Sequence, residues 1–326
     1  MSSSLTTAIH LDQIERSCLV ALQADPRASW RELGLATGIA ERTVARRIGK
    51  LIDGQLVRVL AELDPVAIGQ GAVMHAWVRC RTGKLASVAA HLAALPQTQV
   101  VMSLAGSTDL MTEINLLDAR DLTTTVTELL PAIEGVERVD SRLVLRSFRR
   151  AGEWRIQPGD ESPAALPAVA ARSITLTDSE RCLVAKLSED GRAGLGALAK
   201  ECGVSEPTAQ RLLQSLVERR VLSFRVEVEP SLLGYEVEAI VSVQARPNSV
   251  DALAALLAKD PHTRCLFGTS GASQLFWHVL CTDSHDLWDV VTRRLGAMDG
   301  VVQADVSVVV QAFKRCGIER AGVRLS

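Results

Sequence analysis

The segment SWRELGLATGIAERTVARRIGKLIDG, residues 29–54, contains the local signals of two helices joined by a tight turn. Ser29, followed three residues later by Glu32, has the capping-box spacing that marks a helix start. Gly38 fits the turn because glycine adopts positive φ without steric cost. A further helix is expected over 41–53, and an apolar helical pattern precedes the whole segment. Together these signals predict a helix-turn-helix unit.

The same pattern occurs twice in the chain. An offset of 165 residues aligns Gly38 with Gly203 and holds without a gap as far as Phe313. A long unit repeated once indicates duplication rather than an array of short repeats. The two copies extend over about 11–150 and 176–315. The residues between them contain Pro, Gly and Ala without a periodic pattern, which is typical of a linker.

Each copy continues with alternating strand and helix patterns. In copy one, strands are predicted near 71–81, 98–104, 110–117 and 136–148, and helices near 84–95 and 118–130. The order β-α-β-β-α-β is that of a ferredoxin-like domain. The alternating segment 56–63 predicts a further strand or a wing. The sequence thus predicts an α+β fold, made of two copies of a winged helix-turn-helix unit plus a ferredoxin-like βαββαβ domain. The predicted ranges are 1–64 and 176–229 for the helix-turn-helix domains, 65–150 and 230–316 for the βαββαβ domains, 151–175 for the linker and 317–326 for a C-terminal tail.

Composition and charge exclude several classes of protein. Hydrophobic residues make up 47% and charged residues 23% of the 326 residues, which excludes a disordered or collagen-like chain. The 36 Lys and Arg residues are balanced by 38 Asp and Glu, so a uniformly basic surface is excluded, whereas a local basic patch is not.

The seven cysteines include no Cys-x-x-Cys pair and are interpreted as small buried thiols in a reducing compartment. Without a signal-peptide pattern or a membrane-length apolar run, the protein is expected in the cytoplasm, with no membrane partner.

One face of the helix over 41–53 carries the residue types of a DNA-reading surface. They follow i, i+3, i+4 spacing and combine long cationic donors with one small hydroxyl: Arg42, Thr43, Arg46, Arg47 and Lys50. Such groups reach base edges and phosphates, while an apolar stripe on the opposite face packs inside. A solvated basic face without function is the alternative interpretation. The helix-turn-helix pattern in front of this helix favours double-stranded DNA as the partner.

The second copy has a less basic version of this helix. Thr208, Gln210 and Arg211 are polar, but a leucine and a serine stand at the positions of Arg47 and Lys50. Fewer cations mean weaker electrostatic attraction to phosphates. The two helix-turn-helix units, which we call the heads, are therefore expected to differ in DNA affinity or in sequence preference. Alternatively, the second head serves as a packing partner for the first. Three cations beyond the helix are further candidates for phosphate contacts: Arg219, Arg220 and Arg225.

The combined pattern resembles the leucine-responsive regulatory protein/AsnC family of bacterial transcription regulators. The likeness rests on Leu-Asp-x-x-Glu-Arg at 11–16, on the segment 32–54 and on Gly-Ser-Thr-Asp-Leu at 106–110. It covers nearly the whole chain twice, whereas most members carry one copy. The resemblance implies a sequence-specific DNA-binding regulator with RAM-type βαββαβ domains, and not an enzyme. It also implies an intramolecular pseudo-dimer that associates further into homo-oligomers.

The resemblance further implies a small-molecule effector, commonly an amino acid, bound near the Gly-x-x-Asp turn. The residues implied are Gly106, Thr108 and Asp109 in copy one and Gly271 in copy two. Glycine permits a close backbone approach, and a carboxylate receives an ammonium group. Gln274 replaces the acid in copy two, which favours a site near copy one. A plain turn role for Asp109 is the alternative, because Asp is common in turns.

Two other functions stay open at this stage. Tandem chains of this kind also resemble siroheme decarboxylases, which need histidines and arginines around an anionic tetrapyrrole. The segments 57–68 and 222–233 contain no histidine, which favours DNA binding over this enzyme. A regulator without DNA affinity, acting through partner subunits, is the other alternative. No catalytic pair or phosphate loop is evident, and the spacing of the histidines does not suit a metal site, so no catalytic residue, metal or cofactor is expected: the histidines considered are His75, His91, His278 and His285.

Overall fold

The computed structural model describes residues 11–63, 71–116, 119–156, 176–219, 221–321 and 324–325. Most of the predicted linker lies outside these ranges, as does residue 118, where the sequence predicts a helix to begin. Both predicted copies are present, each as a helical unit followed by a strand-rich domain. Within the described ranges, no helix is long and apolar enough to cross a bilayer.

The first helical unit has three helices whose ends follow from local sequence: α1 (Gln13–Ala24), α2 (Trp30–Thr37) and α3 (Glu41–Asp53). Ser29 caps α2, and Glu32 closes the predicted capping box. Gly38 ends α2 at φ 70°, in the left-handed region that glycine favours. The predicted cap and turn are therefore confirmed, and the unit ends in the strand β1 (Val57–Leu63).

The first strand-rich domain has the predicted order of elements. They are β2 (Ala72–Cys80), α4 (Leu85–Ala94), β3 (Thr98–Ala105), β4 (Leu110–Leu116), α5 (Ala119–Thr124), α6 (Leu130–Ala132) and β5 (Val136–Arg149). A π-helical turn at Thr125–Leu129 joins α5 to α6, so both belong to the one helix that the sequence predicts here.

Copy two repeats these elements. They are α7 (Asp178–Glu189), α8 (Leu195–Glu201), α9 (Glu206–Glu218), β6 (Leu222–Val228), β7 (Val237–Ala245), α10 (Val250–Leu257), β8 (Thr263–Thr269), β9 (Leu275–Cys281), α11 (Ser284–Asp289) and β10 (Val301–Arg315). A π-helical turn follows α11 as it follows α5, at Val290–Arg294. Two short strands complete the chain, β11 (Ile318–Ala321) and β12 (Arg324–Leu325).

The segment predicted as a strand or wing is a strand whose partner lies in the other copy. β1 pairs antiparallel with β6, with Val57 opposite Val228 and Leu63 opposite Leu222. This two-stranded ribbon links the two helical units. We refer to it below as the β1–β6 ribbon.

The eight long strands of the two βαββαβ domains form one closed sheet. Within each domain the strand order is the ferredoxin-like one, β3-β4-β2-β5 and β8-β9-β7-β10. β5 pairs with β8, and β10 pairs with both β3 and β7, which closes the ring. The pseudo-dimer implied by the duplication is therefore held together by continuous strand pairing.

Alternation along each strand divides the core into outer and inner layers. On β2, Met74, Ala76 and Val78 pack with α4 in an outer core. The residue between the last two, Trp77, instead joins an inner cluster with side chains from both copies, including Phe276. The helices thus cover the outside of the closed sheet, and the two half-sheets face each other across the inside.

The prediction of seven free thiols is wrong for two of the cysteines. Cys182 on α7 and Cys202 at the end of α8 form a disulfide, with their Cα atoms 5.7 Å apart. They are 20 residues apart in sequence, and packing of α7 against α8 brings them together. Among the remaining cysteines, Cys18, Cys265 and Cys281 are buried thiols.

Candidate nucleic-acid interface and ligand cavity

The helix α3 has a buried face and a basic face, as its spacing predicts. Val44, Ile48 and Leu51 are buried in the core of the first helical unit. On the opposite face three cationic side chains are exposed, and the hydroxyl residue is half-buried: Arg42, Arg46, Lys50 and Thr43. Within the described part of the chain, none of these three cations forms an ion pair, so their charges are available to phosphates.

Arg47, predicted to share this surface, is instead held inside the unit. Its guanidinium pairs with Asp12 and lies 3.4 Å from Glu15, both at the start of α1. The hydrogen bond that Arg47 donates to Asp12 raises the pKa of Arg47. In copy two, Arg219 pairs with Glu180, the counterpart of Glu15, and thereby takes over the role of Arg47. Arg47 therefore ties α3 to α1.

The helix α9, the counterpart of α3 in copy two, offers fewer donors to a ligand. Gln210 and Arg211 are exposed, whereas the Thr208 hydroxyl is engaged with Ser205 at the helix cap, 2.8 Å away. The prediction of a phosphate contact by Arg225 is wrong, because this residue is buried and donates to a backbone carbonyl. Arg220 lies outside the described residues.

Two equivalent arginines join the helical units. Each donates to two backbone carbonyls of the opposite unit: Arg27 to Gly191 and Ala193, and Arg192 to Pro26 and Ala28. Each guanidinium also lies over an aromatic ring. That of Arg27 is 5.2 Å from the ring centroid of Phe224, and that of Arg192 is 4.3 Å from the ring centroid of Trp30. Together with the β1–β6 ribbon, these contacts set the position of α3 relative to α9.

The Gly-x-x-Asp turn of copy one and its counterpart in copy two have the same internal hydrogen bond. Asp109 accepts from the backbone N–H of Cys80 at 2.7 Å. In copy two, Gln274 accepts from the N–H of Ala245 at 2.9 Å. These are equivalent positions, so one turn role accounts for both side chains.

Each turn lies against the last long strand of the other copy. A Cβ atom on Gly106 would collide with Ser307 of β10, and Gly271, at φ +94°, packs on Arg142 of β5. The Thr108 hydroxyl is buried and has no hydrogen-bond partner among the described residues. The four residues implied for effector binding therefore lie in two separate turns, each at a contact between the copies.

A cavity of about 820 Å³ lies where the closed sheet meets the β1–β6 ribbon, and we call it the junction cavity. Apolar side chains from both copies line it, among them Met111 and Phe276. Residues of β1 and of α7 line it as well, including Leu60 and Ser188. The cavity therefore touches both half-sheets and both helical units.

Buried charges surround one side of the junction cavity. Arg264 bonds Glu227 at 3.0 Å, and Arg315 makes two hydrogen bonds of 2.9 Å to Glu238. Burial opposes ionisation of Glu227, but Arg264 and the neighbouring arginines outweigh it and hold the Glu227 pKa below its usual value. Burial lowers the pKa of His278, which bonds Glu238 at 3.0 Å, so its ring is neutral near pH 7.

This charged cluster was missed from sequence because its members come from separate strands. The absence of histidine from 57–68 and 222–233 therefore says little about tetrapyrrole binding, because a histidine that lines the cavity, His278, lies on β9. His75 also lies in the inner layer, 4.5 Å from Phe276 between ring centroids, and bonds Glu113. Among the described residues, no group of three or more His, Cys, Asp or Glu side chains is arranged to hold a metal.

Comparison with known families identifies the domains of this chain. The AsnC-type helix-turn-helix domain matches residues 11–52, and the Lrp/AsnC ligand binding domain matches 74–154 and again 238–318. The second helical unit is matched over 186–225 by the IclR helix-turn-helix domain. The chain therefore belongs to the Lrp/AsnC family, with the ligand-binding domain present twice.

Individual relatives match one copy in sequence. The HTH-type transcriptional regulator FL11 of Pyrococcus horikoshii is 31% identical over 150 residues, which is 46% of this chain and 99% of the relative. The HTH-type transcriptional regulator LrpA of the same organism is 24% identical over 140 residues, 43% of this chain and 99% of the relative. The protein is thus an Lrp/AsnC-type transcriptional regulator by family.

The tandem fold is shared with a solved structure over nearly its whole length. The siroheme decarboxylase NirDL aligns with a TM-score of 0.63 at 16% identity, covering 92% of both chains. Escherichia coli AsnC aligns with 42% of this chain at a TM-score of 0.40 and 21% identity. The likeness to NirDL concerns the fold.

Proposed function

We propose that this protein is a cytoplasmic, sequence-specific regulator that binds double-stranded DNA through α3. The observation that carries the proposal is the exposed basic face of that helix, whose cations Arg42, Arg46 and Lys50 form no ion pair with any described residue. Thr43 adds a small hydroxyl near the helix start, and Arg47 contributes if it exchanges Asp12 for a phosphate. Cationic donors at this spacing suit phosphates and guanine edges in the major groove.

The second head contributes less to binding in this proposal. Gln210 and Arg211 are exposed on α9, and Thr208 joins them only if its hydroxyl leaves the helix cap. A single arginine on this helix gives weaker attraction to the phosphate backbone than the three exposed cations of α3.

A small effector, such as an amino acid, is proposed to modulate this binding. The duplicated ligand-binding domain supports an effector, and Gly106, Thr108, Asp109 and Gly271 are the candidate contacts. The buried, unpartnered hydroxyl of Thr108 supports a ligand at the first turn. Further homo-oligomerisation of the pseudo-dimer is proposed on the basis of family membership.

A gel-shift assay with DNA fragments that the protein selects from its genome tests the DNA-binding proposal. We expect Arg42→Ala with Arg46→Ala to weaken binding roughly tenfold or more, because two cationic donors are lost from the proposed surface. Arg47 is left unchanged in this test, since its ion pairs hold α3 to α1.

Two further variants complete the test. Arg293→Ala is the matched control, because Arg293 is an exposed arginine in the turn after α11. It lies in a βαββαβ domain and not in a helix-turn-helix unit. Arg211→Ala measures the second head and is expected to have the smaller effect. DNA binding that is unaffected by the double α3 variant would overturn the proposal.

A siroheme decarboxylase-like enzyme is the second candidate. The whole-chain fold likeness to NirDL and the large junction cavity, lined in part by Arg264, Arg315 and His278, favour it. Family membership and the regulators among the relatives favour the non-enzymatic function. Incubation of the purified protein with siroheme, followed by mass spectrometry for loss of carbon dioxide, separates the two.

A further inference from the structure

We propose that the junction cavity binds an organic carboxylate with an apolar body, and that its occupation alters DNA binding. The regulatory half of this inference rests on the proposed function. The binding half concerns the cavity alone. The site is distinct from the Gly-x-x-Asp turns, whose side chains do not line the cavity.

The position of the cavity connects the two functions of the chain. Leu60 and Glu62 of β1, together with Ser188 of α7, form the side that belongs to the helical units. Met111 and Phe276 of the closed sheet form the opposite side. A molecule that fills this space contacts the elements that set the position of α3 relative to α9.

The wall of the cavity favours an apolar body. The inner layer supplies Met102, Met111, Phe267 and Phe276, two from each half-sheet, and Leu60 lies on the ribbon side. Such a wall binds hydrocarbon or aromatic surface, as small-molecule pockets usually do. At about 820 Å³, the volume is within the range of drug-sized ligand sites.

The chemistry at one side of the cavity favours a carboxylate. Arg264 is 3% exposed and lines the cavity; one end of its guanidinium bonds Glu227, while Nη1 has no hydrogen-bond partner in the described part of the chain. The Nε atoms of Arg225 and Arg315, which also line the cavity, lack hydrogen-bond partners in the same part. A buried cationic donor without an acceptor is unfavourable, and a carboxylate satisfies it with a strong hydrogen bond.

The two buried acids beside these arginines are already engaged, and of the acids that line the cavity, Glu62, Glu113 and Glu189, Glu113 bonds His75. Glu238 is held by two hydrogen bonds from Arg315 and by His278, and Glu227 is surrounded by Arg264, Arg315 and Arg320. The equivalent of Arg264 in copy one is Gln99, so the unsatisfied cation belongs to copy two. The unpartnered guanidinium donors of Arg225, Arg264 and Arg315 all belong to copy two, so the cavity offers one charged side for a ligand's carboxylate beside a large apolar volume.

Calorimetry on the full chain tests the binding half, with octanoate and indole-3-acetate as probes and octanamide and indole-3-acetamide as their uncharged counterparts. We expect at least one carboxylate to bind about tenfold or more tightly than its amide, and Arg264→Gln to remove this preference. Arg293→Gln makes the same change at an exposed arginine that does not line the cavity; it is the control and is expected to leave carboxylate binding unchanged. Equal binding of acids and amides, no binding of either, or full carboxylate binding by Arg264→Gln overturns the proposal.

Since Arg264→Gln leaves Glu227 buried with one partner fewer, a second variant guards against misfolding. Arg264→Gln with Glu227→Gln removes the charges of both partners and is expected to lose carboxylate preference in the same way. Uroporphyrin serves as a polycarboxylate probe. Preferential binding of uroporphyrin over both monocarboxylates overturns the assignment of a single charged head.

Gel shift in the presence of the bound carboxylate tests the regulatory half. A change of threefold or more in DNA affinity supports it, and an unchanged affinity at saturating carboxylate overturns it. If the protein binds no DNA at all, the proposed function and the regulatory half fail together. The calorimetric result stands independently and decides the binding half.

Discussion

The carboxylate of Asp109 and the amide of Gln274 perform one task at equivalent turns. Each accepts a hydrogen bond from the backbone of the neighbouring strand, at Cys80 or Ala245. The acid-to-amide difference between the copies therefore preserves the turn and changes only its charge. Any contribution of the charge to effector binding is separable from the contribution of the hydrogen bond to stability.

We expect Asp109→Ala to lower the free energy of unfolding by about 1–3 kcal/mol, because the Cys80 N–H loses its acceptor. Asp109→Asn keeps an amide oxygen at the same place and should be close to neutral. Urea unfolding followed by circular dichroism measures both. Gln274→Glu is the control in copy two, since it also retains an acceptor. Equal losses for the Ala and Asn variants would show that the charge, not the hydrogen bond, stabilises the turn.

Side-chain spacing predicted which face of α3 is basic, but it did not predict which cation is engaged within the unit. Arg47 is captured by Asp12, which lies 35 residues earlier in the sequence. Helical periodicity describes one helix at a time and contains no information on such a contact. The acidic start of α1 was the available signal, and only packing of α1 against α3 makes it meaningful.

At the scale of elements, the helices were predicted closely because their signals are local. α3 begins and ends at the residues that its apolar spacing and flanking turns indicate. The partner of β1 was not predictable in this way. An alternating strand looks the same whether it pairs in a local wing or, as here, with β6 of the other copy.

A single glycine allows the second helical unit to pack on β1. The N–H of Gly191 donates to the Val59 carbonyl at 2.9 Å, and an added Cβ would lie 2.7 Å from that oxygen. Because the obstructing atoms are backbone, we expect Gly191→Ala to lower the free energy of unfolding by about 1–3 kcal/mol. Gly194→Ala is the matched control, since no atom lies within 4 Å of its Cβ position. Chemical denaturation that gives the same stability for both variants would contradict this contact.

At the scale of the whole molecule, the repeat predicted two matched halves but not how they close. The inner layer joins His75 and Trp77 of one copy to Phe276 of the other, and no local pattern marks these residues as neighbours. The buried cations Arg225, Arg264 and Arg315 of the junction cavity are likewise spread over β6, β8 and β10. Sequence therefore predicted the class of fold and the basic face of α3, while the cavity depended on tertiary pairing.

The closed sheet should hold the halves together without the connecting segment. We expect a protease site inserted within 157–175, once cleaved, to leave two fragments that co-elute in gel filtration, because no described strand pairing is cut. The melting temperature should then fall on dilution, since association of the halves becomes bimolecular. The uncleaved protein with the same insertion is the control. Fragments that separate at micromolar concentration would contradict the prediction.

Closure of the sheet also affects how the protein behaves among similar chains in one cell. An open edge strand accepts strands from other chains. In this molecule β3, β5, β8 and β10, the edges of the two half-sheets, are all paired internally. Mixed assembly by exchange of a half-sheet is thereby blocked. Each chain then supplies both helix-turn-helix units by itself. The number of such paired units in the cell rises in direct proportion to synthesis of the chain, with no minimum concentration for pairing.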